Sequence, residues 1–173
     1  MAEIVGSDGF SVVRLTDVDE QRALCVVCDH AMTEQMTIRL KHLPSANLML
    51  PEVLSGMLLC EGGGIADFEL MVYDIVEGQY RVTLQNKRTL ALRPLRMTDA
   101  VLLHYITRIP FYIEERLMIR QSSPYNAEST GISIPINTLD TERLKDELDR
   151  AIKSEDYRLA SHLHEELQKR SKE

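Results

Sequence analysis

The strongest constraint on how this chain can fold lies in residues 139–170, where apolar residues recur at helical spacing on both sides of a short polar connection. Residues three and four positions apart share one face of a helix, so each side is predicted to form an amphipathic helix. The segment is therefore predicted to be a helical hairpin. Its apolar positions are Leu144, Leu148, Ala151 and Ile152 before the connection, and Tyr157, Ala160, Leu163 and Leu167 after it.

The ends of these two predicted helices carry residues that favour helix termini. Asp140 or Thr141 can cap the first helix, and Ser154 can cap the second. The acidic residues after Ser154 then fall in a first turn, where the helix dipole favours negative charge. Isolated helices of about 12–15 residues are marginal in water. We therefore expect the hairpin to lie against a second hairpin or a neighbouring domain.

Residues 151–167 resemble the UVR motif, which excinuclease subunits B and C share with some Clp-protease regulators. The motif has a Glu-Asp-Tyr turn, an Ala where the helices cross, a Leu, and an acidic pair before an aliphatic residue. Where the motif usually has Arg before the acidic pair, this chain has His164. The matching residues are Glu155, Asp156, Tyr157, Ala160, Leu163, Glu165 and Glu166.

The UVR resemblance implies pairing of helical hairpins between proteins, not catalysis. On that basis Tyr157, Ala160, Leu163 and Leu167 are expected to bind a protein partner or a second copy of the chain, which makes a homo-oligomer the expected state. The alternative is a generic C-terminal hairpin packed on its own domain.

The rest of the chain suits one globular domain. A length of 173 residues with 44% hydrophobic residues is enough for a packed core. The sequence contains no apolar run long enough to span a bilayer and no signal peptide at its start, so we expect a cytoplasmic protein without membrane contact. Cys25 and Cys28 form a CxxC inside an apolar run that reads as a buried strand. We interpret them as core cysteines, because residues three apart on a strand point to opposite faces.

The first half of the domain is predicted to begin with β-structure. Residues 10–17 and 22–29 flank a polar turn, which indicates a hairpin, and residues 36–40 are predicted to add a third strand. A helix is predicted to begin at Pro51, a residue suited to the first helical position. Gly62, Gly63 and Gly64 lack the following Lys and Ser or Thr of a phosphate-binding loop, so we interpret them as a turn.

The second half continues with residues 68–76 and 80–84, which flank Glu77-Gly78-Gln79 and predict another hairpin, extended by residues 89–92. A helix capped by Thr98 or Asp99 follows, and residues 111–113 return to strand.

The predicted fold class is α+β, with a mixed or antiparallel sheet and two or three helices followed by a C-terminal α-helical hairpin. The predicted domains are an α+β domain at residues 1–120, a linker at 121–138 that is rich in Ser, Pro, Asn and Gly, and the hairpin at 139–173.

Residues 68–113 resemble the bifunctional nuclease family, bacterial and plant proteins credited with DNase and RNase activity. The family has a strand pair, then Arg-Pro-Ser-Asp-Ala at the start of an aliphatic helix, then a proline and an aliphatic-aromatic strand. Here the corresponding segments are 68–84, 96–103 and 109–113. A UVR hairpin after such a domain is a familiar pairing. The chain departs from the family at residues 39–50, which replace an Ile-Gly…Glu-Ala helix and an Arg-Pro-Leu-Thr-His segment.

The nuclease resemblance implies DNA or RNA as substrate and Mg²⁺ or Mn²⁺ as cofactor, with metal ligands that the sequence does not identify. Asp99 and Arg96 are the candidate catalytic pair, since in the matching motif both lie at a helix N-terminus, a natural anion site. Arg88, Arg93 and Arg108 are candidate nucleic-acid ligands within a locally basic stretch of a chain whose net charge is −7. The structural alternatives are a solvated basic face and an Asp99 that caps its helix while pairing with Arg96.

Two functions from different classes therefore remain open. The first is a metal-dependent nuclease of the bifunctional family with an interaction hairpin. The second is a non-catalytic adaptor whose hairpin docks on a DNA-repair or Clp-type proteolysis partner. Acidic residues converging with Asp99 in a basic cleft would favour the nuclease. His104, inside an apolar helix, is expected to be a packed or surface imidazole and not a base.

Overall fold

A computed structural model describes residues 2–7, 10–60, 64–126 and 134–171. Within these residues the chain is mixed α+β, which confirms the predicted fold class. The strands are β1 (Ala2–Ser7), β2 (Phe10–Thr16), β3 (Arg22–Cys28), β4 (Phe68–Val76), β5 (Gln79–Asn86), β6 (Leu92–Leu95), β7 (Phe111–Ile113) and β8 (Ser122–Pro124). The α-helices are α1 (His30–Leu40), α2 (Leu50–Cys60), α3 (Met97–Thr107), α4 (Glu115–Gln121), α5 (Thr141–Lys153) and α6 (Tyr157–Arg170). None of these helices combines the length and the apolar character needed to cross a bilayer.

The first sheet has the order β1-β2-β3-β8 and is antiparallel throughout. The predicted hairpin between β2 and β3 is confirmed, with Val13 opposite Val26. Its turn is held by Asp17, whose Oδ1 accepts from the backbone N–H of Gln21 at 2.7 Å and of Arg22 at 3.1 Å. A carboxylate that binds backbone amides a few residues on is a common way to fix a turn.

The second sheet has the order β6-β5-β4-β7, and β7 runs parallel to β4. The predicted β4–β5 hairpin is confirmed, and both central turn residues have positive φ, 51° at Glu77 and 79° at Gly78. Two such residues produce the twist that a tight hairpin requires. The strand predicted at residues 89–92 to extend this sheet begins too early, since β6 starts only at Leu92. Asn86 Oδ1 accepts from the backbone N–H groups of Arg88 and Thr89, which keeps these residues in a turn.

The third strand predicted at residues 36–40 is wrong, since this segment belongs to α1. The helix begins after Asp29, whose Oδ1 accepts from the backbone N–H of Met32 at 2.7 Å. Met32, Met36 and Arg39 share one face of α1, and all three are buried. A capped N-terminus and a buried helical face outweigh the short alternation of apolar and polar residues that suggested a strand.

The predicted caps of two later helices need correction. Helix α3 begins at Met97 with Arg96 as its N-cap, so Thr98 and Asp99 lie inside its first turn. Helix α6 is capped by Asp156, whose side chain accepts from the backbone N–H of Leu159, and not by Ser154. The predicted cap at Asp140 of α5 is confirmed, because its side chain accepts from the backbone N–H of Arg143 at 2.8 Å.

The segment predicted as a linker is partly ordered against the first sheet. Residues 122–124 form β8, and Leu24 of β3 lies opposite Ser122. Residues 127–133 of that segment lie outside the described part of the chain, as do Gly62 and Gly63 of the predicted glycine turn.

The main core lies between the inner faces of the two sheets and the helices α1 and α3. Its fully buried side chains include Val13 of the first sheet, Leu70, Val72 and Val82 of the second, and Met36, Ala100 and Val101 of the helices. Cys28 faces this core, whereas Cys25 pairs with Arg14 on the other face of the sheet. Both thiols are buried and free, as predicted for core cysteines. Burial raises the pKa of Cys28 to about 11.

The predicted C-terminal hairpin is confirmed and has a small core of its own. Leu144, Ala151, Ala160 and Leu163 are buried together. Ile136 and Leu139, from the segment leading into α5, pack against this cluster.

The hairpin lies beside the β4–β5 turn. A Cβ atom at Gly78 would stand 2.6 Å from the carbonyl oxygen of Leu139 and 3.1 Å from Arg170 Nη1. Arg170 also donates from Nη1 to that Leu139 oxygen at 2.7 Å, which fixes α6 to the segment before α5. The hairpin therefore has the neighbour that its limited surface was predicted to need.

Candidate functional site

The Arg96–Asp99 pair lies at the start of α3, directly after β6. Arg96 Nε donates to Asp99 Oδ2 at 2.7 Å, and Arg96 Nη2 donates to Oδ1 at 3.1 Å. The arginine side chain is 70% exposed and the aspartate 39%. Because water screens such a pair, its contribution to stability is small, about 0–1 kcal/mol. The Asp99 carboxylate is thus engaged by its neighbouring arginine and not by the helix N-terminus.

The nuclease hypothesis requires ligands for a divalent metal. In the described ranges of the chain, no three His, Cys, Asp or Glu residues lie together in a way that could hold a metal ion. The structure therefore adds no ligand set around Asp99, and the metal remains a prediction.

A cavity of about 200 Å³ lies next to this pair, between the start of α3 and the segment leading into the hairpin. Arg96, Thr98 and Tyr80 line it from the domain, and Thr138 lines it from the hairpin side. The Tyr80 hydroxyl is buried and has no hydrogen-bond partner within the described structure. Burial raises the pKa of Tyr80, so the phenol stays protonated and available as a donor.

The three arginines predicted to bind nucleic acid do not form one surface with Arg96. Arg88 pairs with Asp67, with 3.5 Å between Nε and Oδ2. Arg93 is exposed on β6, opposite Leu84 of β5. Arg108 follows the last residue of α3, a helix of 11 residues and therefore about 16 Å long. Arg96 and Arg108 therefore lie at opposite ends of α3, so the predicted arginines are not gathered around the Arg96–Asp99 pair.

The four residues predicted to bind a partner differ in exposure. Tyr157 is 70% exposed, but Ala160 and Leu163 lie in the core of the hairpin itself, and Leu167 packs against that core. The side chains at the UVR-like positions therefore hold α5 and α6 together. Ile152 and Leu159 are 52% and 36% exposed near the same turn. The sequence placed Ile152 on the apolar stripe of the first helix, but neither residue was predicted to bind a partner. Apolar periodicity marks a helical face but does not tell which edge of that face a neighbouring helix covers.

Sequence reasoning also missed a cavity of about 520 Å³ between the two sheets. His104, Tyr105 and Arg108 at the end of α3 contribute to its lining, together with β7 and the β2–β3 turn. These segments are far apart in the sequence and carry no shared motif. Only the packing of α3 between the sheets brings them together.

No family model matches the chain, and the comparison with curated proteins finds no match either. The resemblances to the bifunctional nuclease family and to the UVR motif therefore depend on the residues quoted for them.

Proposed function

We propose that the chain is a cytoplasmic, non-catalytic adaptor whose C-terminal hairpin binds a protein partner through Ile152, Tyr157 and Leu159, here called the turn surface. The observation that carries this proposal is the exposure of these three apolar side chains on a hairpin whose own core is already complete.

The hairpin does not need the turn surface for its own folding. Leu144 and Leu163 are fully buried between α5 and α6, and Ala151 and Ala160 let the two helices approach closely. Most other exposed positions of the hairpin are charged or polar. Large apolar side chains gathered at one end of such an element are typical of an interaction site, and tyrosine is enriched among the residues that contribute most to binding.

The hairpin is also held rigidly, which favours binding. Arg170 Nε donates to Glu166 Oε1 at 3.1 Å, and its other nitrogens donate to the carbonyl oxygens of Leu139 and Asn137. A surface presented on a fixed element loses less conformational entropy when a partner binds. The UVR resemblance directs the search for that partner to DNA-repair excinucleases and Clp-type proteolysis components.

The state of Asp99 supports an adaptor over a nuclease. Both of its carboxylate oxygens accept from Arg96. A metal ion at this carboxylate would have to displace the arginine.

The test is affinity capture with three baits: the wild type, the double variant Ile152→Ser/Tyr157→Ser, and the control Leu48→Ser. Leu48 is 85% exposed in the 3-10 turn between α1 and α2, so its replacement removes a similar apolar side chain far along the chain. We expect the wild type and the control to retain a defined protein that the double variant does not retain. On the wild-type bait, that protein should cross-link to Lys153, which is next to Ile152 in the chain. The same proteins on all three baits, with monomeric mass for each in light scattering, would overturn the proposal.

A second candidate function, a nuclease of the bifunctional family, is favoured by the cavity at the start of α3. Its lining combines Arg96, the Tyr80 hydroxyl and the first turn of α3, all of which can bind a phosphate oxygen.

Activity is tested on single-stranded DNA and RNA with Mg²⁺ or Mn²⁺, using Asp99→Ala and the control Asp67→Ala. Asp67 also pairs with an arginine, at 3.5 Å, but its partner Arg88 does not line the cavity, whereas Arg96, the partner of Asp99, does. Cleavage that is lost only with Asp99→Ala would establish the nuclease. Absence of cleavage by the wild-type chain would leave the adaptor as the function.

A further inference from the structure

The cavity between the two sheets, here called the interlayer cavity, has an apolar floor and a polar rim. Leu24, Val72 and Met97 form the floor and are buried. Tyr112 and Arg108 lie at the rim and are exposed. Its volume of about 520 Å³ falls within the range of small-molecule sites, about 300–1,000 Å³.

His104 supplies an oriented hydrogen-bonding group on the cavity wall. Its Nδ1 lies 2.7 Å from the carbonyl oxygen of Ile109. A carbonyl oxygen only accepts, so Nδ1 carries the proton and Nε2 of the neutral ring is an acceptor. The Phe111 ring, with its centroid 5.7 Å from that of His104, restricts the imidazole from the side. Among the described residues, none hydrogen-bonds to Nε2.

Arg108 supplies a positive charge at the rim. Its guanidinium carbon lies 5.0 Å above the centre of the Tyr105 ring, and within the described ranges no carboxylate forms an ion pair with it. On the rim formed by the β2–β3 turn, Asp17 uses Oδ1 to accept two backbone N–H groups of the turn, and Glu20 is exposed. The charge of Arg108 is therefore available to a ligand.

The backbone at Arg108 points to a role for its side chain. The residue ends α3 in the left-handed region, with φ 60° and ψ 19°. Glycine is the usual residue at such a position, because the Cβ of any other residue lies too close to the following carbonyl oxygen. An arginine kept in a glycine-like conformation at the mouth of a cavity is the kind of strained residue that gathers at ligand sites.

We propose that the interlayer cavity binds a small organic anion with an apolar body of one or two rings. The floor takes the apolar body, and Arg108 binds the carboxylate or other anionic group at the mouth. If the ligand carries a hydroxyl or N–H group, that group donates to His104 Nε2. Neither the turn surface nor the Arg96–Asp99 pair contributes a side chain to this cavity.

The experiment uses three probes that share one body and differ in charge: 2-naphthoate, 2-naphthalenemethanol and 2-naphthylmethylamine. Their dissociation constants are measured by titration of the full chain carrying ¹³C-methyl methionine. Met118 lines the interlayer cavity and Met97 lines both this cavity and the one beside the hairpin, whereas Met32 and Met57 line neither, so a probe in the interlayer cavity must shift Met118 as well as Met97. The variants are Arg108→Met and Arg108→Gly, and the control is Arg93→Met.

We expect saturable binding with shifts confined to Met97 and Met118, and naphthoate bound about tenfold more tightly than the amine. Arg108→Met and Arg108→Gly should both remove this preference and leave binding of the alcohol within about twofold, while Arg93→Met changes nothing. Arg108→Gly also places glycine in the left-handed conformation that favours it, and retained binding of the alcohol by this variant shows that the cavity is intact. Equal binding of the three probes, a preference for the amine, shifts at Met32 or Met57, or no saturable binding would overturn the proposal.

Discussion

Replacement of Leu163 by alanine tests whether the core of the hairpin, and not a partner, holds α5 and α6 together. Leu163 is 1% exposed and is buried with Leu144, Ala151 and Ala160. Leucine-to-alanine changes in cores cost about 2–5 kcal/mol, depending on how far the surroundings relax into the space. A two-helix element can partly close around the gap, so we expect about 3 kcal/mol here.

The assay is hydrogen exchange of the backbone amides, followed by mass spectrometry. A loss of about 3 kcal/mol corresponds to roughly a hundredfold faster exchange. We expect that acceleration throughout α5 and α6, with the amides of β4 and β5 unchanged. The matched control is Leu159→Ala, which removes a leucine from the same helix at a position that is 36% exposed.

The result that would refute this reasoning is equal protection of α5 and α6 in the Leu163→Ala and Leu159→Ala chains. The hairpin would then be stabilised by contacts outside its core. The same result would weaken the proposal that the turn surface is free for a partner.

Three further predictions concern the domain. In the wild-type chain the buried Arg39 guanidinium donates to both carboxylate oxygens of Glu52 at 2.7 Å. Glu52→Ala leaves this guanidinium buried without a counter-charge, so the free energy of unfolding measured in urea should fall by about 3–5 kcal/mol. Stability should fall as the pH rises from about 9 to about 11. In that interval the Cys28 thiol ionises in the unfolded chain but not in the folded one, and Cys28→Ala should flatten the profile. Gly78→Ala should destabilise the chain by at least about 1–2 kcal/mol, since it adds a Cβ at φ 79° and 2.6 Å from a carbonyl oxygen; an unchanged thermal midpoint would contradict this contact.

Controls separate these effects from general loss of stability. Glu147→Ala removes a carboxylate from the exposed pair with Arg150 and should change the free energy of unfolding by less than about 1 kcal/mol. If Glu52→Ala is equally mild, the buried pair contributes no more than a surface pair. A pH profile that falls equally in the Cys28→Ala chain would assign the effect to other groups, of which Tyr80 is the first candidate because burial also raises its pKa.

Local signals in the sequence predicted the elements whose stability is local. The hairpins around Asp17 and Gly78 and the two C-terminal helices all have their turn residues or apolar stripes within a few positions. The segment 36–40 was misread because the contact that anchors it, between Arg39 and Glu52, joins two helices. Alternation over five residues fits a strand as well as part of a helix, and only the burial of Met36 decides between them.

The candidate sites were less predictable because their members come from distant segments. Arg96 and Asp99 were named together from the nuclease-like motif, and the structure shows them as an ion pair between residues three apart, which is a local relation. The interlayer cavity joins the β2–β3 turn to the end of α3 and to β7, so no window of the sequence contains it. The left-handed backbone at Arg108 was equally invisible, since the sequence has arginine where such a conformation usually selects glycine.

Helix α3 contributes to both cavities: Met97 lines both of them, whereas Arg96 lines only the cavity beside the hairpin and Arg108 only the interlayer cavity, which makes their coupling testable. Arg96 lies at one end and Arg108 at the other, about 18 Å apart along the axis. Between them Ala100 and Val101 are buried in the main core, so the helix is fixed along its middle. Effects of substitutions at such distant positions add to within about 0.3–0.5 kcal/mol when no packed element shifts between them. We therefore expect the change in the free energy of unfolding of the Asp99→Ala/Arg108→Gly double variant to equal the sum of the changes in the two single variants, to within that limit. A coupling of more than about 1 kcal/mol would mean that α3 moves as a unit, and ligand binding in the interlayer cavity would then also change the cavity beside the hairpin.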